Sequence, residues 1–193
     1  MKTHISDSNS KLGKIPNISL RPGSDCGNSD PCIKNCYAVK IYRMYPNVRN
    51  AWSDNSIIAR ENPSQYFADI ADYLETKRPK FFRWHVSGDI LNQDYFGEMV
   101  ALAIRFPETR FLAFTKMHML DFSSAPVNLS VVVSMWPGLP VPENQAHMPK
   151  AWMQNGAENR VPESAIECPG ICDVCGMCWD LGKLGRDVVF NKH

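Results

Sequence analysis

The seven cysteines of this 193-residue chain fall into two tight groups, Cys26, Cys32 and Cys36, then Cys168, Cys172, Cys175 and Cys178, with none between. An odd number of thiols, behind a polar lead-in Met1–Lys14 that lacks the apolar stretch of an export signal, does not read as a disulfide framework. Clustered thiolates are instead the donors of metal centres. The fold must therefore bring each group together, and three plus four is the division to explain.

The second group, Cys168-x3-Cys172-x2-Cys175-x2-Cys178, sets four thiols within eleven residues, with Gly170 and Gly176 to let the chain bend. Structural zinc usually takes two knuckles separated by a longer loop, whereas one compact run has ferredoxin-type iron–sulfur spacing. A [4Fe–4S] cluster is the first expectation here and zinc the alternative. Reduced thiols packed as small hydrophobes remain the plainest reading. The first group, Cys26-x5-Cys32-x3-Cys36, offers three thiolates. Three protein ligands and an open position suit a reactive centre, zinc with water or a cluster with one exposed iron. The alternative is three unrelated thiols in a loop, or one that completes a site elsewhere. Cys36 opens a helical segment whose first amides favour anionic sulfur.

Composition excludes whole classes. At 44% hydrophobic and 21% charged residues the chain is neither disordered nor coiled coil. It has no run of 18 apolar residues to span a membrane. A net charge of +1 gives no basic field to advertise nucleic-acid binding. A cytoplasmic location is expected.

Strands are predicted at 15–20, 81–86, 110–114, 129–133 and 187–191, and helices at 37–44, 64–77 and 93–106. The stretch 136–162, rich in Pro, Asn and Gly, is expected to be irregular. Strands alternating with helices argue for an α/β fold with a mainly parallel sheet, read here as an incomplete (β/α) barrel over 1–136. Residues 137–193 would form an irregular, cysteine-rich extension with a last strand. Sites in such sheets gather at the strands' carboxyl ends. There the sequence sets Cys26–Cys36, Ser87-Gly88-Asp89, Thr115-Lys116 and Ser134-Met135-Trp136, after successive strands.

These residues carry a resemblance. Asn9-Ser-Lys-Leu-Gly13, Ile18-Ser-Leu-Arg-Pro-Gly23, Cys36-Tyr-Ala38, Arg83-Trp-His-Val-Ser-Gly-Asp-Ile90, Phe114-Thr-Lys116 and Ser134-Met-Trp136 are similar to the phage "gene product 88" family. The likeness runs over residues 9–136 and leaves the C-terminal cysteines outside. More loosely, the chain resembles radical S-adenosylmethionine (SAM) enzymes, above all the spore photoproduct lyase branch. There a first strand leads into a three-cysteine loop, and a second ends in a Gly-Gly-Glu-like motif. That likeness implies a [4Fe–4S] cluster on Cys26, Cys32 and Cys36 and an enzyme that cleaves SAM reductively with an electron donor. Tyr37 and Ser87-Gly88-Asp89 would flank SAM, with Lys116 and Ser134 facing its carboxylate and ribose. The spacing departs from the superfamily's C-x3-C-x2-C. Cys168, Cys172 and Cys175 do show that spacing, but fewer than twenty residues follow them, too few to build a barrel downstream. The runner-up function is a metal-stabilised interaction or nucleic-acid-binding protein without catalysis.

Strand alternation sets Arg83, His85 and Ser87 on one face and Trp84 and Val86 on the other. His118 and His147 read as surface loop residues, and Asp89 could equally be a cap.

Overall fold

The computed structural model describes residues 2–27, 30–154 and 158–191. Among the described residues, seven strands form one parallel sheet: β1 (Asn17–Ile18), β2 (Phe81–Trp84), β3 (Arg110–Thr115), β4 (Leu129–Met135), β5 (Lys150–Gln154), β6 (Ile166–Glu167) and β7 (Val188–Asn191). Their order is β1-β2-β3-β4-β5-β7-β6, with every pairing parallel. Five strands thus lie side by side in chain order, without the reversal of a doubly wound sheet. This is an α/β fold on a parallel sheet.

A parallel sheet must bury both faces, and this chain covers them by different means. On the outer face Phe82 and Trp84 of β2, Phe111 and Ala113 of β3, and Leu129 and Val131 of β4 meet helices α3 (Pro46–Glu61), α4 (Pro63–Lys77) and α5 (Gln93–Arg105). Those helices present Ile58, Phe67, Ile70, Leu74, Phe96 and Met99. Each such side chain, fully buried, stabilises by about 1.5–3 kcal/mol. Asn62 and Asn92 cap α4 and α5 by accepting the amides of Gln65 and Tyr95.

On the inner face Leu112 of β3, Val132 of β4, Ala151 of β5 and Val188 of β7 pack with Leu12, Ile15, Trp179 and Leu181. The cover here is the β6–β7 connection, which holds α6 (Cys172–Cys175), a 3₁₀ turn at Met177–Trp179 and α7 (Leu181–Leu184). It reaches across the sheet. Trp179 packs on Phe81 at 5.0 Å between rings, Asp180 pairs with Arg110, and Ser130 Oγ donates to Cys178 O at 3.0 Å.

Sequence and structure differ in instructive places. Pro46 reads as a helix end, and it does follow α2 (Tyr37–Met44), but it also opens α3, where a proline lacking N–H costs nothing. β5 lies inside the stretch expected to be irregular, of which 155–157 fall outside the described residues. The alternation expected through 83–87 breaks at His85, whose φ of 53° turns its ring to the outer face. There His85 Nε2 hydrogen-bonds Tyr95 Oη at 3.0 Å, and Tyr95 Oη donates to Tyr66 Oη at 2.9 Å. Arg83 is left alone on the inner face. No helix among the described residues is long and apolar enough to cross a membrane.

Burial, reinforced by the charge of Arg83, pushes the His85 imidazole from 6.5 down to about 3. Between those values the unfolded chain binds a proton that the folded chain refuses, so stability falls as pH drops through that window. His85→Asn, which tolerates the left-handed backbone, is expected to flatten the melting temperature between pH 6.5 and 3 relative to the wild type. Parallel profiles would refute the assignment.

Candidate metal centres

The three-cysteine loop follows β1 and is pinned to the elements around it. Asp25, beside Cys26, accepts Arg60 Nη2 at 2.6 Å and Nε at 3.2 Å, and the Arg21 amide at 3.2 Å. This ties the loop to α3. Cys26 Sγ accepts the Gly23 amide at 3.3 Å. A Cβ on Gly27 would stand 2.3 Å from Met117 Sδ, so a glycine is what lets the loop close against the segment after β3. Cys32 lies buried in the single turn α1 (Asp30–Ile33), and Cys36 is the N-cap residue of α2.

The strand ends meet this loop. Lys116 hydrogen-bonds the Cys32 thiol and lies within electrostatic reach of Cys26. Tyr37 leaves its ring half exposed while its hydroxyl donates to Val86 O at 2.7 Å. Gly88 has φ 83°, and a Cβ there would come 2.6 Å from Leu20 Cβ, so the turn after β2 touches the end of β1. Burial raises the Cys26 and Cys32 thiols above their ordinary value, against the pull of Lys116.

Asp89 has structural work instead of an open carboxylate. Its Oδ1 accepts the Ile90 amide at 2.8 Å and Thr115 Oγ1 at 2.7 Å, and its Oδ2 accepts the Lys116 amide at 2.8 Å. It ties the loop after β2 to the loop after β3 and so positions Lys116. Ser87 Oγ, by contrast, is buried without a partner among the described residues. Ser134 lies on the inner face of β4, half buried. His118, expected at the surface, is half buried and hydrogen-bonds the Ser134 backbone. A histidine three residues past a strand end carries that signal in its position. His147 is exposed, as expected.

The four C-terminal thiols line one cavity of about 20 Å³ on the inner face, with Ile166, Trp179, Leu181 and Val188 among its walls. The N-terminal turn packs against this segment. The Cys172 amide donates to Lys11 O at 3.1 Å, and a Cβ on Gly13 would fall 1.8 Å from Asp173 Oδ2. Burial raises the Cys172 thiol and pushes Cys178 up to about 12, against the nearby Arg83 guanidinium. Loss of a proton on metal binding is the ordinary remedy for such thiols.

Among the described residues no three His, Cys, Asp or Glu side chains meet at coordinating geometry. The seven thiols are gathered into two neighbourhoods short of coordination. Their donor chemistry fits thiophilic metal: four thiols around one small cavity in the C-terminal group, and three in the N-terminal group, two of them beside Lys116. The fit to SAM is poorer, since Asp89 already accepts three protein hydrogen bonds.

Asp89→Ala would strand two backbone donors and a threonine hydroxyl. A loss of about 2–4 kcal/mol in urea denaturation is expected. A change below about 0.5 kcal/mol, the scale of ordinary surface substitutions, would show that the tie is dispensable.

No curated protein and no solved structure is matched by the chain. The sequence signature of one family, described as gene product 88, matches residues 2–181. That span takes in Cys168–Cys178, so the C-terminal cysteines lie within the family's match and not outside it. The chain belongs to the gene product 88 family.

Proposed function

We propose that this chain is an iron–sulfur protein with two thiolate centres of different kind. Cys168, Cys172, Cys175 and Cys178 would hold a closed [4Fe–4S] cluster that fastens the β6–β7 connection to the inner face. Cys26, Cys32 and Cys36 would hold a second cluster with one iron open to a ligand. The observation that carries this reading is the loop's place, at the carboxyl ends of β1, β2 and β3, with Lys116 hydrogen-bonded to Cys32.

The sheet order β1 to β5 is that of the wall of a partial (β/α) barrel, which supports a radical SAM-like enzyme. A cluster held by Cys26, Cys32 and Cys36 would supply SAM with an iron to bind and one electron for its reductive cleavage. The chain's own part is to bind and exclude water. Lys116 and Ser134 offer polar contacts to a carboxylate and a ribose, Ser87 Oγ has a hydrogen bond to give, and Asp89 holds Lys116 in place. Tyr37, at the start of α2, ties the end of the loop to the turn after β2 through its bond to Val86 O. The substrate would be met beyond these groups, with an electron donor outside the chain.

A second reading has its own observation. On the four-cysteine segment Ile171 and Val174 are 55% and 83% exposed, and Leu184 49%. Apolar side chains held outward by a metal staple suit a protein-binding surface, with zinc in place of a cluster.

Metal analysis of protein purified without oxygen separates the two. About eight iron and eight sulfide per chain, the sum of two four-iron cubanes, is the expected result, with Cys172→Ala and Cys32→Ala each losing one cluster. Cys32→Ala should also lose any spectral response to SAM while the other centre persists. Zinc without sulfide would overturn the iron–sulfur reading and leave the interaction protein.

A further inference from the structure

Arg83 is the oddest charge in the molecule. β2 directs it to the inner face, where its guanidinium carbon lies 4.2 Å from the centre of the Phe114 ring. Its Nε donates to Trp84 O at 3.0 Å. Among the described residues no carboxylate pairs with it. A guanidinium stays charged under all ordinary conditions, and Arg83, half-buried, gives up part of its water without gaining an anion. Its electrostatic neighbours are the Tyr37 hydroxyl and the thiols of Cys172, Cys178 and Cys168. Phe114 and those same three cysteines pack on one inner-face cluster.

We propose that Arg83 is the counter-ion of the four-cysteine centre, supplying from β2 the positive charge that lets four thiolates gather against a buried apolar face. The proposal rests on the metal-centre reading and deepens it. Four thiolates around one metal ion, or around a cubane, leave the centre net negative. Water would ordinarily screen that charge, but here the sheet covers one side of the centre. Lys11 also lies near Cys172, but it is exposed, with its ammonium 4.7 Å over the Phe190 ring, so solvent screens it. Arg83 is a positioning residue: it makes no bond to the metal and acts on the thiolates through charge. Its planar fork, stacked on Phe114, fixes where that charge sits.

The consequence has opposite signs in the two states. With the centre filled, Arg83 is paired. With it empty, Arg83 is a half-buried cation without an anion. Removing the charge should therefore weaken metal binding without weakening the empty fold, a combination that a residue needed only for packing cannot give.

The test uses the full chain stripped of metal and titrated with Zn²⁺ against a competing chelator, alongside melting of the metal-free protein. Arg83→Met is expected to lower Zn²⁺ affinity about 10–100-fold, the usual range for groups that support metal ligands. Its metal-free melting temperature should equal or exceed the wild type's. Arg83→Lys, which keeps the charge and loses the fork, should fall between the two in affinity. Equal affinity in Arg83→Met and wild type would overturn the proposal. So would equal losses in Met and Lys variants that also melt lower when metal-free, since packing would then be the cause. Cys172→Ala keeps the two questions apart. If the wild type takes up no more Zn²⁺ than Cys172→Ala, the four-cysteine centre itself fails. If it does, only the role of Arg83 is at stake.

Discussion

The need to bury both faces of a parallel sheet governs this molecule. Helices α3, α4 and α5 solve it on the outer face with large side chains such as Phe67, Leu74 and Phe96. The inner face has no comparable helix. It is covered by a connection whose helical pieces are four residues long, α6 and α7, joined by a single 3₁₀ turn. One-turn helices carry almost no stability of their own. Trp179 and Leu181 supply apolar anchors and Asp180 an ion pair with Arg110, yet the stretch from Cys168 to Cys178 brings mainly thiols to the contact. Thiols are small hydrophobes and fill the space poorly compared with leucine. A metal there would do for the inner face what side-chain area does for the outer one, which is why the spacing of Cys168–Cys178 is a folding constraint as much as a chemical one.

The three-cysteine loop is built on another principle. It is held by polar ties from outside: Asp25 to Arg60, Asp89 to Lys116 and Thr115, Gly27 and Gly88 at close approaches. None of these needs metal to form. The loop is thus set in place by the finished sheet, whereas the C-terminal segment helps to finish it. A fastener should be closed and fully ligated; a loop held by other means can leave one position open. The two groups divide as three and four along that same line.

Much of this was legible because it depends on local chemistry. The run Leu129-Ser-Val-Val-Val133 could hardly be anything but a strand, and the stripe of Phe96, Met99 and Ala103 fixes the buried side of α5. The sequence positions of Ser87-Gly88-Asp89 and Lys116 after successive strands carried the site's location. What stayed hidden depends on partners distant in the chain. Ile166–Glu167 is a strand only because Val188 and Val189 lie beside it. Lys150–Gln154 sits among prolines that mask it. Two of the three partners of Asp89 are 26 and 27 residues away, and nothing local distinguishes a carboxylate that ties two loops from one that awaits a ligand.

The break at His85 shows how two neighbours came to serve opposite faces. Regular alternation would have set Arg83 and His85 on the same side, and a cation beside an imidazole repels its protonated form. A left-handed residue other than glycine costs of order 1 kcal/mol. That cost is offset on the outer face, where His85 joins Tyr95 and Tyr66 in a buried hydrogen-bonded row. The same turn leaves the inner face beyond Arg83 free of a second polar ring, so the guanidinium can lie flat on Phe114. Without that twist, the guanidinium near Cys172, Cys178 and Cys168 would share its space with an imidazole. The strained backbone at one residue thereby keeps a second polar ring off the inner face beside Arg83.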